Sequence, residues 1–249
     1  MTTCELSSIE ADDAAQPRPM AHAGVHESAM AALGRTVKHG RVLDVGAGQG
    51  ALSRRLLELG YQVDACDLVP DNFRLEEVEC RRVWADCTLP FEPATFDAAM
   101  AVEVVEHVDG HRAFFAQIAR VLKPGGVLVF TTPNILSIKS RLLFLWTGYP
   151  YAFPPLETGV LDPVSQHLTP VSLDRYRFLL HESGMDLIAV GADKLQRSSR
   201  LWAWLAPLIR WYARLRHGRE FAGAEQNLSL QNSREALLGR TLVVVAKRR

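Results

Sequence analysis

The stretch from residue 41 to residue 50 constrains the fold of this chain more than any other. It reads Arg-Val-Leu-Asp-Val-Gly-Ala-Gly-Gln-Gly, a short apolar run followed by three closely spaced glycines. An apolar run of this kind is typical of a parallel strand that is buried on both faces, and the leucines of residues 51–59 recur with a helical period. Gly46, Gly48 and Gly50 are therefore predicted to form a turn between a strand and a helix.

A glycine turn that opens a helix is suited to a cofactor that contains a nucleotide. Glycine permits a sharp turn and leaves no side chain between the backbone and a ligand, while the first amides of a helix favour negative charge. The same residues also fit the loose dinucleotide-binding pattern, because Gly46, Gly48 and Ala51 have its spacing. The turn alone leaves both kinds of cofactor open.

Strands and helices alternate along the next ninety residues. Helices are predicted at 50–59 and 110–122, and strands near 41–45, 61–66, 81–84, 96–102 and 127–132. This alternation is typical of a parallel sheet with helices on both faces, which binds ligands at the carboxyl ends of its strands. Four polar or glycine positions follow four of these strands and are expected to face one crevice: Gly46, Asp67, Asp86 and Glu103.

The length of 249 residues predicts one α/β domain with an insertion rather than two domains. Residues 1–20 are polar and predicted to be disordered. Residues 21–249 then form a single domain, with helical or lid segments at 135–168 and an insertion at 195–240. Lys and Arg together equal Asp and Glu at 28 each, so no overall field attracts the protein to nucleic acid.

The cysteines and the N-terminus indicate a cytoplasmic protein with reduced thiols. Cys4, Cys66, Cys80 and Cys87 lack the C-x-x-C spacing, and the acidic N-terminus has no basic region followed by an apolar core, so no signal peptide is expected. No apolar run reaches the roughly 20 residues that span a bilayer. Any membrane association is therefore expected to be peripheral, at the inner face of the membrane.

Three further motifs follow the glycine turn in a characteristic order, the last of them directly before a strand. They are Trp84-Ala85-Asp86-Cys87, the strand from Phe96 to Glu103, and Leu122-Lys123-Pro124-Gly125-Gly126, which the strand from Val127 to Thr131 follows. In this order and spacing the chain resembles the class I methyltransferases that use S-adenosylmethionine. The resemblance implies a Rossmann-like, doubly wound, seven-stranded sheet whose last strand is antiparallel and lies beside the sixth. About 45 residues separate the predicted last two strands, so a helical insertion precedes the last strand.

The resemblance also assigns roles at the cofactor site. Asp44 is expected to order the glycine turn, and Gly46, Gly48 and Gly50 to form it around the methionine part of S-adenosylmethionine. Asp67 would accept the ribose hydroxyls. Asp86 and the backbone amide of Cys87 would meet the adenine edge, and Glu103 would complete the cofactor pocket.

Glu103, Glu106 and His107 carry the clearest catalytic signal. Their spacing places two carboxylates and an imidazole on one side of a helical turn, where with His167 they can converge on a divalent cation such as Mg²⁺, Mn²⁺ or Zn²⁺. Such a cation lowers the pKa of a bound hydroxyl and orients its oxygen. The pattern resembles O-methyltransferases that act on ubiquinone precursors or on the terminal 2′-hydroxyl of small RNAs. Two alternatives remain, a metal-free catalytic His107 assisted by Glu106 and a purely structural role.

The function predicted from these motifs is methylation of a hydroxyl on a small molecule, either a quinone precursor or a lipid-linked glycan. Bacterial methyltransferases of surface-polysaccharide pathways are similar in the segment Thr132-Pro133-Asn134 and in the stretch that follows it. The alternatives are RNA 2′-O-methylation and a cofactor-binding subunit without catalysis. Nucleic acid is an unlikely partner, since no RNA-binding module is recognisable.

Residues 194–221 interleave arginines with tryptophan, tyrosine and leucine. A basic and aromatic helix suits a membrane surface, but it can equally pack on its own core or on a second subunit, and the oligomeric state is left open. A helix is predicted to start at Thr169-Pro170 and to end at Gly184. His111 and His181 are predicted to lie at solvated surface positions.

Overall fold

The structure is a computed structural model that describes residues 16–84, 86–162, 164–220 and 222–249. Most of the predicted disordered N-terminus, residues 1–15, and with it Cys4, lies outside the described residues. Residues 16–20 run alongside the glycine turn, where the Arg18 amide donates a hydrogen bond to Gln49 Oε1 at 3.1 Å. Cys66 is a buried free thiol, and Cys80 and Cys87 are half-buried free thiols.

Seven strands form one mixed sheet in the order β3-β2-β1-β4-β5-β7-β6. β7 pairs antiparallel with both β5 and β6, and every other pairing is parallel. The predicted fold class and the position of the last strand beside the sixth are therefore confirmed. The strands are β1 Arg41–Val45, β2 Gln62–Asp67, β3 Cys80–Arg82, β4 Phe96–Ala101, β5 Leu122–Pro133, β6 Met185–Ala192 and β7 Thr241–Arg248.

Helices cover both faces of the sheet and fill the segment between β6 and β7. The helical insertion before the last strand is confirmed, because four of the helices lie between residues 197 and 238. The helices are α1 Val25–Thr36, α2 Ala51–Glu58, α3 His111–Val121, α4 Ile138–Thr147, α5 Leu173–Glu182, α6 Arg197–Leu201, α7 Ala206–His217, α8 Ala224–Gln231 and α9 Arg234–Leu238.

Side chains from the two faces of the central strands enter two separate cores. On one face the sheet packs against α3 and α5 through Phe115, Ile118 and Tyr176. On the other face it packs against α1 and α2 through Leu33 and Leu56. Because both faces are covered, the central strands read as continuous apolar runs rather than as alternating ones.

β5 begins at Leu122, five residues before the predicted strand at 127. Its pairing with β4 shifts from Phe96–Leu122 to Ala98–Val127, so the Lys-Pro-Gly-Gly stretch bulges out of the sheet. A Cβ on Gly126 would lie 2.8 Å from the carbonyl oxygen of Lys123, which explains the glycine there. The motif is therefore a bulge within a long strand.

The helix predicted to begin at Thr169-Pro170 begins instead at Leu173, with Ser172 as its N-cap. The prediction was wrong because the preceding backbone is held elsewhere. The amides of Leu168 and Thr169 both donate to the carbonyl oxygen of Glu106, at 2.9 and 3.2 Å. This pairing fixes the 167–169 segment beside the turn that follows β4.

The insertion is closed at its base by a buried ion pair between Asp193 and Arg240. Arg240 Nε donates to Asp193 Oδ2 at 2.8 Å, and the Thr241 amide donates to the other carboxylate oxygen at 2.9 Å. The side chain of Asp193 is 1% exposed and that of Arg240 is 12% exposed. The pair thus joins the end of β6 to the start of β7 and brings the two ends of the helical segment together.

We expect Asp193→Ala to lower the free energy of unfolding by about 3 kcal/mol, because it leaves the Arg240 guanidinium buried without its partner. Urea denaturation measures this difference. Glu58→Ala serves as the control, because it removes the exposed ion pair with Arg54 and should cost less than about 1 kcal/mol. Equal losses in the two variants would contradict a stabilising role for the buried pair.

Candidate functional site

The glycine turn has the backbone geometry that the sequence predicts. The φ angles of Gly46, Gly48 and Gly50 are +72°, +53° and +92°, and Gly50 caps the start of α2. A Cβ on Gly46 would lie 2.4 Å from Cγ2 of Val104, in the turn that follows β4. The turn after β1 and the turn after β4 are therefore in close contact.

Asp44 lies buried beneath the glycine turn. Its Oδ2 accepts a hydrogen bond from the Ser53 hydroxyl of α2 at 2.7 Å. Burial raises the pKa of Asp44 to about 7, although this hydrogen bond favours the ionised form. Asp44 thus ties the end of β1 to α2, in line with its predicted ordering role.

Asp67 ends β2 and lies at the rim of the glycine turn. Its two carboxylate oxygens accept hydrogen bonds from the amides of Gly48 and Val69, each at 2.8 Å. The side chain therefore stabilises the turn directly, a contact that the sequence did not reveal. Each oxygen keeps a second lone pair that is able to accept a further hydrogen bond.

Asp86 and Cys87 lie in an exposed turn beyond β3. Asp86 Oδ1 accepts a hydrogen bond from the Thr88 amide at 2.9 Å. The Cys87 amide, predicted to meet an adenine edge, instead donates to the carbonyl oxygen of Trp84 at 2.9 Å. In this structure the amide is already engaged, so a contact with adenine requires the turn to open.

Glu103 follows β4 with a φ of +56°, and Thr131 of β5 holds it there. The Glu103 amide donates to the Thr131 hydroxyl at 2.8 Å, and that hydroxyl donates back to Glu103 Oε1 at 2.9 Å. Burial raises the pKa of Glu103. Its carboxylate does not join the group of candidate metal-ligating side chains that the described residues form, and its role as a fourth ligand stays a prediction.

Glu106, His107 and His167 do come together. One possible ligand atom from each lies within 4.8 Å of the other two, and the two imidazole rings are 4.9 Å apart at an interplanar angle of 80°. The Glu106 side chain is fully buried, and neither carboxylate oxygen has a hydrogen-bond partner among the described residues. Burial, with the charge of Glu103, raises the pKa of Glu106 well above its ordinary value.

Backbone carbonyls orient both imidazoles. Nδ1 of His107 lies 2.9 Å from the carbonyl oxygen of Gln166, and Nδ1 of His167 lies 2.7 Å from that of Ala152. A carbonyl oxygen only accepts, so Nδ1 carries the hydrogen in each ring and Nε2 keeps the lone pair when the ring is neutral. This is the arrangement that metal-ligating and basic histidines share.

His111 supports the turn that carries Glu106 and His107, and the prediction that it lies at the surface was wrong. It was expected at the surface, but it is 6% exposed and packs beside Phe115 and Tyr176. Its Nε2 lies 2.9 Å from the carbonyl oxygen of Val105, and burial lowers its pKa. The sequence pattern missed this residue because it begins α3, where solvated polar residues are common. His181 is exposed, as predicted.

The short 3-10 helix Val105–His107 delivers two of the three cluster residues, and the irregular segment before α5 delivers the third. Sequence spacing predicted Glu103, Glu106 and His107 on one side of a helical turn, but the turn that is present holds only Glu106 and His107, and Glu103 precedes it. The position of His167 depends instead on the Leu168 and Thr169 amides at the Glu106 carbonyl. Its contacts with Ala152 and Phe153 come from the long loop predicted as a lid.

Comparison with known proteins agrees with this architecture. Residues 43–130 match the model of the family described as "Methyltransferase domain". The ubiquinone biosynthesis O-methyltransferase of Burkholderia pseudomallei is 31% identical over 159 residues, which cover 60% of this chain and 66% of that relative. The chain thus spans just under two thirds of that relative's length.

Two further proteins are similar over most of the domain. The demethylmenaquinone methyltransferase of Tropheryma whipplei is 31% identical over 180 residues, which cover 64% of this chain and 74% of that protein. The solved structure of an S-adenosylmethionine-dependent methyltransferase from Archaeoglobus fulgidus superposes with a TM-score of 0.57, at 18% identity, over 90% of this chain and 94% of that one. The sheet order, the glycine turn and these relatives together identify the chain as a member of the S-adenosylmethionine-dependent methyltransferases.

Proposed function

We propose that this methyltransferase transfers its methyl group to a hydroxyl oxygen of a small molecule, either a quinone precursor or a lipid-linked glycan. The observation that carries this proposal is the group formed by Glu106, His107 and His167, beside the glycine turn at the carboxyl ends of the central strands. A hydroxyl is a weak nucleophile at neutral pH. Its methylation therefore needs a group that removes the hydroxyl proton or lowers the pKa of the hydroxyl. The names of the relatives from Burkholderia and Tropheryma support a quinone-like acceptor.

We assign the cofactor to the crevice between the turns that follow β1 and β4. Gly46, Gly48 and Gly50 would form the wall against the methionine part, with Asp44 holding the turn from below. Asp67 would accept the ribose hydroxyls with the lone pairs that its bonds to Gly48 and Val69 leave free. Asp86 would reach the adenine edge once the turn at Cys87 opens, and Glu103 would close the pocket beyond β4.

The residues of the cluster fit a divalent cation. A fully buried carboxylate without a hydrogen-bond partner among the described residues is costly unless something charged or polar satisfies it. Two neutral imidazoles and one carboxylate are a donor set that suits Zn²⁺ better than Mg²⁺, which prefers oxygen ligands, and Mn²⁺ is also compatible. Glu106, His107 and His167 would hold the ion.

A bound cation would lower the pKa of the acceptor hydroxyl and fix its oxygen opposite the methyl group. The residues themselves supply the remaining steps. The Gln166 and Ala152 carbonyls hold the two rings with Nε2 as the basic atom, and Phe153 of the long loop packs beside the His167 ring. In a mechanism without metal, Nε2 of His107 takes the hydroxyl proton as the oxygen attacks the methyl group, and Glu106 would stabilise the resulting imidazolium where it is ionised.

Two alternatives remain for the acceptor and the role. An RNA 2′-hydroxyl is also an alcohol and would use the same group of residues, so only the identity of the labelled product separates it from a small molecule. A cofactor-binding subunit without catalysis has no evident need for a buried carboxylate beside two oriented imidazoles. Membership of the methyltransferases also favours catalysis.

We expect Gly46→Ala to weaken S-adenosylmethionine binding by at least about tenfold, because the new Cβ meets Val104 at a φ that strains any other residue. Isothermal titration calorimetry measures the affinity. Gly60→Ala is a matched control, since Gly60 has a φ of +85° but open space around its Cβ position. An affinity for Gly46→Ala equal to that of the unmodified protein would argue against a cofactor at this turn.

We expect Glu106→Gln and His107→Ala each to lower kcat by roughly 100-fold, the usual contribution of a positioned acid or base. Methyl transfer from labelled S-adenosylmethionine measures the loss. Glu58→Gln and His181→Ala change exposed residues of the same types and should leave kcat unchanged. Thermal melting should show Glu106→Gln folded, because a neutral amide is less costly to bury than an unpaired carboxylate.

The same assay with a chelator separates the two mechanisms. Metal assistance predicts that chelation abolishes transfer, that added Zn²⁺ or Mn²⁺ restores it, and that the purified protein holds about one ion per chain, which Glu106→Gln loses. Full activity after chelation, with the His107→Ala loss retained, would instead establish the metal-free base. Activity that survives all of these changes would overturn the assigned site.

We expect label from S-adenosylmethionine to enter the lipid or glycan fraction of a lysate of the source cell, because the proposed acceptors are a quinone precursor and a lipid-linked glycan. The lysate is separated into lipid, glycan and RNA fractions after the reaction. Label that ribonuclease removes would contradict the small-molecule acceptor and support RNA 2′-O-methylation. The Glu106→Gln variant supplies the background in each fraction.

A further inference from the structure

Four of the five tryptophans in the chain lie exposed on one part of the molecule. Trp146 ends α4, while Trp202, Trp204 and Trp211 belong to the insertion, and their exposed fractions range from 44% to 84%. Tryptophan is usually mostly buried, and grouped exposed apolar side chains mark a surface that contacts something else. The region between β6 and β7 therefore presents an interaction surface.

Helix α7 carries apolar side chains on two opposite sides. Its inner side, with Ala206 and Ile209, packs on the small core formed with Ile138 and Leu237. Its outer side repeats apolar residues at helical spacing, namely Leu208, Trp211, Tyr212 and Leu215, and all four are exposed. At 100° per residue these four lie opposite Ala206. The inner side holds α7 on the protein, whereas packing does not require the outer side to be apolar.

The end of α4 extends the same surface. Ile138 and Leu142 of α4 belong to the core that also holds Ala206 and Ile209, so the two helices are neighbours. Residues 143–146, Leu-Phe-Leu-Trp, follow directly and are all exposed. We call the exposed side chains of residues 143–146 and 194–219 the docking face.

The docking face carries only positive charges of its own, and two acidic residues at its edge, Glu220 and Glu225, lie 3.9 Å from Arg216 and 3.7 Å from Arg214. Residues 194–219 contain seven Lys and Arg and no Asp or Glu, in a chain whose charges otherwise balance. On α7, Arg214 and Arg216 flank the outer apolar side. Arg210, Arg214 and Arg219 also line an open cavity of about 600 Å³ together with Trp211 and Leu215. Such a cavity suits an anionic group attached to an apolar chain.

We propose that the docking face binds the surface of a bilayer that contains anionic phospholipid. Helix α7 would lie in the plane of the interface, with its outer leucines reaching the acyl chains, Trp211 at headgroup depth and its arginines beside lipid phosphates. The described helices include none that is both long and apolar enough to cross a membrane, so the contact is peripheral. A second copy of this chain is a poor occupant, because two such faces would bring fourteen positive charges together.

The docking face adjoins the wall of the proposed active site. Helix α4 ends at Thr147, only five and six residues before Ala152 and Phe153. The carbonyl of Ala152 orients His167, and Phe153 packs on the same imidazole ring. Docking would therefore present an acceptor held in the bilayer to the Glu106 group from the side of α4. This last point rests on the proposed function, whereas docking itself does not.

Flotation of the full chain with vesicles tests the proposal. We expect the protein to bind vesicles of phosphatidylcholine with phosphatidylglycerol. Its binding to vesicles of phosphatidylcholine alone, or to the anionic vesicles in high salt, should be at least about tenfold weaker. Trp204→Ala combined with Trp211→Ala, and separately Arg200→Glu combined with Arg216→Glu, should each weaken partitioning by at least about tenfold. Trp84→Ala and Arg35→Glu are matched controls at exposed positions away from the docking face and should bind as the parent does.

Failure of the parent protein to float with anionic vesicles would overturn the proposal, as would equal binding by the docking-face variants and their controls. Sedimentation that shows a dimer lost on changing Trp204 and Trp211, without vesicle binding, would assign the face to a second copy instead. Calorimetry with S-adenosylmethionine on each variant, without lipid, reports whether the cofactor site is intact. Loss of docking is thereby distinguished from a failure of the proposed function.

Discussion

The neighbouring positions of β1 and β4 at the centre of the sheet are the constraint on which the rest of the structure depends. From β1 the chain builds β2 and β3 towards one edge, and from β4 it builds β5 towards the other. The turns after these two strands are far apart along the chain but face each other in space. Between them lies the crevice that open α/β sheets use for ligands. The 2.4 Å from a hypothetical Cβ on Gly46 to Val104 shows how close the two turns come.

The backbone of Glu106 determines which side chains meet at the crevice. Its carbonyl oxygen accepts the amides of Leu168 and Thr169, and this pairing carries His167 to its place beside His107. The side chain of Glu106 meanwhile stays buried without a hydrogen bond from any described residue, at a cost that a fold alone does not require. A buried polar group that lowers the stability of the fold is typical of a binding or catalytic site.

The insertion lies between the last two strands along the chain. The buried pair of Asp193 and Arg240 joins the two ends of the insertion, so its helices form an addition between two strands that pair with each other, and Ala236 of α9 belongs to the main core. Such an addition needs only one apolar side for packing, and α7 has two. The fold therefore accounts for the inner side of α7, while its outer side and the exposed end of α4 are explained by an interaction.

The sequence by itself determined the sheet class, the glycine turn, the helical insertion and the pairing of Glu106 with His107, because these depend on residues close together in the chain and on short periodic patterns. Only the tertiary structure decided what depends on distant backbone. It moved the start of α5 to Leu173, buried His111 against Val105, and turned Glu103 towards Thr131 and away from the cluster. The physical reason is that carbonyls and hydroxyls far along the chain compete for the same donors as local helical bonds, and no spacing rule records which partner wins.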